Sequence, residues 1–366
     1  MSEAAPSGFR RLRLIDITPE SEAIASFRFE PVDPGGWTPY RPGQFLVFRV
    51  PDASAPGGWA LRNYSISGPS DGRTYRVSVK REPYAGSEHG AGLGSGHFHH
   101  RLQPGDEVLA SAPRGEFVLD EASPRAVLLL SGGVGLTPLV AMLHRLVETS
   151  DRPVFFIHAA ENGRQHALAD EVEALAARRP GLRTAFVYRT PDEADTARGR
   201  HVASGLVTRE VLQSLLPLDD YDAYLCGPPG FMRAQYDALT SLGLRPERIA
   251  YEFFGPASLL GALEVVVAPA TVPELAPAPS GGGPLVSFAA SGTSAAWSES
   301  AGSLLDLAEG AGLSPPFSCR AGVCMSCSTR ILSGEVEYFE DPLDEPPPGE
   351  VLLCCTRPRG SVTLDI

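Results

Sequence analysis

Lysine is nearly absent from this chain: of 366 residues only Lys80 is one, and arginine supplies the rest of the basic charge. Acidic residues outnumber basic ones by 44 to 31, for a formal net charge of −13. A chain of that sign lacks the basic footprint of a general nucleic-acid binder. It suits solubility and a partner with a basic patch. Long apolar runs are missing too. No stretch reaches the about 18 residues that a membrane-spanning helix needs, so no membrane partner is expected. Met1 to Gly8 lack the basic and apolar regions of a secretory signal, and a cytoplasmic location is expected. Cysteine is scarce and unevenly placed. Cys319, Cys324, Cys327, Cys354 and Cys355 lie in the last 50 residues, and Cys226 stands apart. A secreted disulfide framework would be even and scattered, so the clustering points to a metal site.

The composition is otherwise that of a globular protein, with 43% hydrophobic and 20% charged residues. The length calls for two or three domains. One break is plain: Pro269 to Gly283 reads PATVPELAPAPSGGG, a linker without hydrophobic periodicity. Before it, residues 1–122 carry short alternating runs such as Phe45–Val50 and Tyr75–Val79, separated by turn signals, which suggests a small antiparallel β-barrel. Residues 123–262 change rhythm. Strands at Ala126–Leu130, Val154–Ile157, Thr184–Tyr188 and Ala223–Cys226 alternate with helical patterns at Leu139–Thr149 and Leu168–Arg178. That is the pattern of a parallel α/β sheet, whose ligands sit at the carboxyl ends of the strands. The expected division is a barrel (1–122), an α/β domain (123–262), a linker (263–283) and a C-terminal domain (284–366).

The C-terminal cysteines are the most specific motif. Cys319, Cys324 and Cys327 followed by Cys354 give C-x4-C-x2-C…C, the spacing of a plant-type [2Fe–2S] site. Each iron takes two thiolates, and the small residues Ala321, Gly322 and Ser326 allow a tight loop. Zinc would call for two paired knuckles, and only one is present. Cys354 and Cys355 are adjacent, and alternation along a strand would let only one face the cluster.

Four further motifs are weaker alone. Arg62-Asn63-Tyr64-Ser65 offers a bidentate phosphate ligand, an aromatic face and a hydroxyl, or an ordinary strand. Gly92-Leu-Gly94-Ser95-Gly-His97-Phe98 is a glycine-rich turn into a helix, with Ser95 as N-cap, or a loop tip. Its histidines, His97, His99 and His100, are expected to be solvated. Ser131-Gly132-Gly133-Val-Gly135-Leu-Thr137-Pro138 follows a strand and opens a helix, where glycines let a pyrophosphate approach the backbone. Cys226-Gly227-Pro228-Pro229 ends another strand, with a buried structural cysteine as the plain alternative.

Together with Ser78-Val-Lys80-Arg-Glu82 and Tyr251-Glu252-Phe-Phe254-Gly-Pro256, these motifs occur in an order that resembles the ferredoxin–NADP reductase superfamily. The likeness is to the reductase part of flavohaemoglobins and to NADH-dependent oxygenase reductases. Leu285 to Ile366 resembles a plant-type ferredoxin, a β-grasp fold of α+β class. The resemblance implies a flavin held by Arg62, Asn63, Tyr64 and Ser65, with Ser65 near its N5, and by Ser78, Lys80, Gly94 and Ser95. It implies a dinucleotide along Gly132, Gly133, Gly135, Thr137, Gly227 and Pro228, with Cys226 beside the nicotinamide. Glu252 and Phe254 would lie near the isoalloxazine, and Ser65, Cys226 and Glu252 form the catalytic set. In the family the last cluster ligand sits in Val-Leu-x-Cys with proline four residues on. Val351–Cys354 and Pro358 match, so Cys354 completes the set Cys319, Cys324, Cys327; Met325 departs from the family's frequent glycine.

The implied activity is a relay from NADH through FAD and the cluster to a protein acceptor. FAD is favoured over FMN. Glu161, after the Val154–Ile157 strand, disfavours a 2′-phosphate and so favours NADH over NADPH, with Arg164 and Arg189 nearby to blunt it. The expected acceptor is a Rieske-type terminal oxygenase, drawn to Glu335, Glu337, Glu340, Asp341, Asp344 and Glu345. A hybrid-cluster or haem protein is the alternative acceptor, and a redox-sensing interaction protein the alternative class. The oxygen and nitric-oxide chemistry of flavohaemoglobins is not expected.

Overall fold

The computed structural model describes residues 9–52, 58–82, 93–254, 283–313, 315–317, 322, 325, 327–342 and 345–366. The chain divides into two compact units after Phe254. The first unit opens with β1 (Phe9–Pro19), β2 (Ile24–Pro31), β3 (Phe45–Pro51), β4 (Trp59–Ser65), β5 (Tyr75–Lys80), α1 (Leu93–His100) and β6 (Glu107–Ser111). The strands form one antiparallel sheet in the order β4-β3-β6-β1-β2-β5. Ile66 bridges Val77, and the Ser67 N–H donates to the Arg76 carbonyl, so the two edges meet and the sheet closes into a barrel. Alternation supplies its core: Phe27 and Phe29 point in while Arg28 points out. α1 contributes Phe98, whose ring stands edge-on to Phe27 and Phe48, both at 5.1 Å between centroids.

The chain continues through β7 (Ala126–Gly132), α2 (Leu136–Thr149), β8 (Val154–Ala160), α3 (Ala169–Ala177), β9 (Leu182–Tyr188), α4 (Glu193–Arg198), β10 (Ala203–Ser204), α5 (Arg209–Leu215), β11 (Tyr221–Gly227), α6 (Pro229–Ser241) and β12 (Ile249–Phe253). These strands are parallel, in the order β10-β9-β8-β7-β11-β12. Every residue of β7 and β11 is buried, as expected where helices cover both faces. Leu129, Phe156 and Tyr224 pack on one face under α2 and α3; Leu128, Leu130 and Leu225 pack on the other under α5 and α6. The strand order reverses direction between β7 and β11. That reversal is a topological switch point, where open α/β sheets bind ligands. α2 begins at Leu136, earlier than the Leu139 expected, because Pro138 falls in the first turn, where no intrahelical N–H is needed.

The second unit holds β13 (Leu285–Phe288), β14 (Thr293–Ala296), α7 (Leu304–Gly310), β15 (Ser328–Ser333), β16 (Val336–Tyr338), β17 (Glu350–Leu352), β18 (Thr356–Pro358) and β19 (Val362–Leu364). Its main sheet runs β14-β13-β19-β15-β17, with β13 and β19 parallel, and α7 packs Leu304, Leu305 and Ala308 into the same core as Phe288 and Leu364. This mixed sheet with one packed helix is the β-grasp arrangement. The fold is therefore multidomain, with an antiparallel barrel, a parallel α/β sheet and an α+β ferredoxin-type domain. The linker, except Gly283, lies outside the described residues.

Candidate functional site

The carboxyl ends of β7 and β11 bring the two glycine motifs of the α/β sheet together. A 3-10 turn, Gly133–Gly135, leads from β7 into α2. A Cβ on Gly135 would lie 2.3 Å from the Cys226 carbonyl oxygen, so only glycine lets this loop rest on the end of β11. Gly133 has φ +54° and open space beyond its Cα. Its backbone thus faces a free volume at the N-terminus of α2, a fit for a phosphate. Gly132 and Gly227 both abut the Phe231 ring, Thr137 is buried with its hydroxyl donating to the Val134 carbonyl, and Pro228 caps α6.

The barrel presents its motifs at the end of β4. Alternation sends Arg62 and Tyr64 to one side and Asn63 and Ser65 to the other. On the first side a Cβ on Gly94 would come within 2.7 Å of Arg62 Cγ and 2.9 Å of Tyr64 Oη, so two motifs distant in sequence share one surface. Ser95 is not an N-cap: α1 already includes Leu93, and the buried Ser95 hydroxyl accepts the Glu82 N–H at 3.1 Å. On the other side the Ser65 hydroxyl donates to Glu252 Oε2 at 3.5 Å, joining barrel and α/β sheet. Lys80 pairs with Glu82 at 3.0 Å. Ser78 lies in a buried hydroxyl ladder with Ser26 at 2.8 Å and Ser67 at 2.7 Å, inside the barrel wall. Phe254 is 38% exposed, beside Tyr251 at 47%.

Cys226 and Glu252 are partners in the β11–β12 register. Burial first, then the Glu252 charge, pushes the Cys226 thiol well up, so it stays protonated and does not act as a nucleophile. A small, neutral, uncharged wall beside a carboxylate and a hydroxyl can shape a planar ring without reacting with it. Burial also raises the Tyr64 phenol, which remains a neutral aromatic face. The histidines of α1 are not simply solvated: His99 Nε2 lies 2.9 Å from the Val79 carbonyl, and burial lowers both His97 and His99.

In the second unit Cys319 and Cys324 lie outside the described residues. Cys327 and Cys354 are both buried, and the Leu353 N–H donates to the Cys327 carbonyl, which holds their backbones side by side. The Gly322 N–H points at Cys354 Sγ, 3.4 Å away, as a donor to a thiolate would. Cys354 and Cys355 sit in a 3-10 turn, Leu353–Cys355, and not on a strand. The turn rotates successive side chains by about 120° and still parts the two thiols. Cys355 Sγ faces the Leu352 carbonyl at 3.6 Å and fills the space beside Gly322. Met325 adopts φ +60°, the left-handed region that explains the family's glycine there. Buried thiols with an N–H aimed at one of them fit an iron–sulfur cluster.

Residues 129–237 match the oxidoreductase NAD-binding domain, and residues 291–359 match the 2Fe-2S iron-sulfur cluster binding domain. The flavohemoprotein of Rhizobium meliloti (strain 1021) is 38% identical over 252 residues, 68% of this chain and 61% of that protein. The flavohem-like FAD/NAD binding domain of nitric oxide dioxygenase from Vibrio cholerae is 36% identical, with a TM-score of 0.60, over 67% of this chain and 98% of that one. The chain belongs to the ferredoxin–NADP reductase superfamily. It carries an oxidoreductase NAD-binding domain and a 2Fe-2S cluster binding domain. Phthalate dioxygenase reductase shares its fold over 98% of both chains, with a TM-score of 0.55 and 23% identity. The chain spans about three-fifths of the length of the curated flavohemoproteins it matches.

Sequence reasoning missed Ser131 and His158 as a pair. His158 ends a Phe-Phe-Ile run, and a polar residue there was the available signal.

Proposed function

We propose that this protein passes electrons from NADH through FAD and its [2Fe–2S] cluster to a separate protein, a Rieske-type terminal oxygenase. The observation that carries the reading is the convergence of Ser65, Cys226 and Glu252 at the switch point of a chain that also holds a ferredoxin domain. When bound, the flavin accepts a two-electron hydride and returns single electrons, which a one-electron cluster can take. The protein's part is alignment. Arg62, with Gly94 giving it room, would hold the flavin's phosphate end; Lys80, Asn63, Ser78 and Ser95 organise the wall around it. Tyr64 would lie along the ring and Ser65 would hydrogen-bond its N5 edge, its hydroxyl held by Glu252. Gly132, Gly133, Gly135, Thr137, Gly227 and Pro228 would admit the dinucleotide, with Cys226 beside the nicotinamide and Phe254 covering the ring. Cys319, Cys324, Cys327 and Cys354 would ligate the cluster.

FAD over FMN rests on the Gly92–Phe98 and Tyr251–Pro256 motifs and on the likeness to an FAD/NAD binding domain; chromatography of acid-released flavin tests it. Glu161 supports NADH. It stands just past β8, accepts the Thr190 hydroxyl at 2.6 Å, and pairs with Arg189 at 3.9 Å. Arg164 is turned to Glu22 and Asp192. Equal kcat/KM with NADH and NADPH would contradict that assignment.

For the acceptor, Glu335, Glu337, Asp341 and Glu345 are exposed in the stretch that also carries a 42% exposed Phe339, over whose ring Arg357 lies at 4.6 Å. Four exposed carboxylates in one stretch suit a basic docking face. Stopped-flow reduction of candidate oxygenases across a salt series tests it. Rates should fall steeply with salt, and salt-independent rates would reject electrostatic docking.

A further inference from the structure

Four strands of the α/β sheet present one row of side chains. The register pairs Glu252 with Cys226, Cys226 with Ser131, and Ser131 with His158. Paired residues of neighbouring parallel strands share a face, about 4.8 Å apart. Glu252 and Cys226 belong to the site already described, and Ser131 is the residue from which the glycine loop springs. His158 has no role in that reading. It is 0% exposed, and its Nδ1 lies 2.9 Å from the Ser131 hydroxyl.

A fully buried imidazole is costly and calls for a reason. The ring is clamped from its far side by His166, 4.6 Å away between centroids. His166 is itself fixed by Tyr188 Oη at 2.9 Å and by the Phe186 ring at 4.5 Å. Burial lowers His158 to about 3, so the ring is neutral throughout the physiological range. A neutral imidazole has one donor and one acceptor nitrogen, and Nε2 has no partner among the described residues. The polar capacity of His158 is thus directed at Ser131. Ser131 in turn is followed at once by Gly132, and the loop rests against Cys226 with no room to spare at Gly135.

We propose that His158 is a positioning residue for the dinucleotide site: it locks the Ser131 hydroxyl and so fixes how the Gly132–Gly135 loop sits against Cys226. This rests on the reading of that loop as the nicotinamide-dinucleotide site. The prediction separates positioning from filling. His158→Leu keeps bulk and removes the hydrogen bond; His158→Asn keeps a polar atom near the Nδ1 position; Ser131→Ala removes the partner with the least change in volume.

The experiment measures NAD+ affinity by calorimetry and steady-state NADH kinetics on the full-length holoprotein. His158→Leu and Ser131→Ala should each weaken NAD+ binding and raise KM by roughly 5- to 10-fold, the loss of one buried hydrogen bond. The decrease in kcat should be smaller than the rise in KM. The double variant should be no worse than the worse single one, because both delete the same interaction. His158→Asn should recover to within about 2-fold of the native value. In ring-nitrogen NMR of the native and Ser131→Ala proteins, the His158 Nδ1 resonance should shift on loss of the hydroxyl. Unchanged affinity in both single variants, multiplicative effects in the double, or an asparagine variant as poor as leucine would each overturn the proposal. A native protein that binds no NAD+ and oxidises no NADH would instead overturn the reading of the site, and the proposal with it.

Discussion

At the scale of single residues, two glycines that look alike in sequence have different physical duties. A Cβ at Gly94 meets the flexible side chain of Arg62 and the Tyr64 hydroxyl, whereas one at Gly135 meets the Cys226 backbone. Gly94→Ala should therefore leave the fold intact and displace Arg62 and Tyr64. The expected outcome is a flavin-to-protein ratio well under half of the native one after gel filtration, with the unfolding midpoint of the apoprotein unchanged. Gly135→Ala should destabilise the α/β sheet by about 2 kcal/mol or more, since main chain must move; chemical denaturation measures this. His158 sets a pH dependence. The unfolded chain takes up a proton near 6.5 and the native one only near 3, so the stability tied to its neutral form is present above pH 6.5 and is lost as pH falls toward 3. His158 should add up to about 1.4 kcal/mol per pH unit to the slope, and His158→Leu should reduce it, with buried His166 keeping its own share. Local backbone features of this scale were legible beforehand. The glycine turn at Gly133–Gly135 stands at the end of β7 and opens α2, as its spacing after a strand predicts. Ser95 and Ser78 did not disclose their partners, because the Glu82 N–H and the Ser26 hydroxyl reach them through the fold and not through the local chain.

At the scale of elements, β5 of the barrel is latched to the helices of the α/β sheet. Arg76 makes two bonds to Glu171 of α3, at 2.7 and 2.8 Å, and Glu171 also receives His144 of α2 at 2.5 Å. The bonds from His144 and Arg76 outweigh the desolvation that opposes them and hold the Glu171 carboxyl down to about 2. Its contribution is whole above pH 4.5 and is lost as pH falls toward 2, since the unfolded carboxyl protonates first. Glu171→Gln should cost about 1–2 kcal/mol at pH 7, discounted for partial exposure, and remove part of the acid sensitivity below pH 4.5. Urea titration at pH 7 and pH 4 checks both. The strand-and-helix rhythm was visible in the sequence because buried strands are continuous apolar runs. Strand order was not. The switch point between β7 and β11 is a product of long-range pairing, and the turn at Leu353–Cys355 replaced an expected strand because the chain must leave β17 sharply for β18.

At the scale of the whole molecule, the chain joins an oxidoreductase NAD-binding domain to a 2Fe-2S cluster binding domain in a second unit. Three-part organisation was readable from composition alone: alternating runs, then strand and helix, then clustered cysteines. Cys354→Ser should leave NADH–ferricyanide turnover within about 2-fold of native, since Cys354 belongs to the cluster motif and not to the flavin or dinucleotide motifs, and should abolish cluster-dependent reduction of cytochrome c. The most direct measurement is anaerobic stopped-flow mixing of NADH with the full-length holoprotein, followed at flavin and cluster wavelengths together with the Cys354→Ser variant. The expected result is bleaching of the flavin first and reduction of the cluster after it, with the second phase missing in the variant. A native protein whose flavin is reduced while its cluster stays oxidised would contradict the relay.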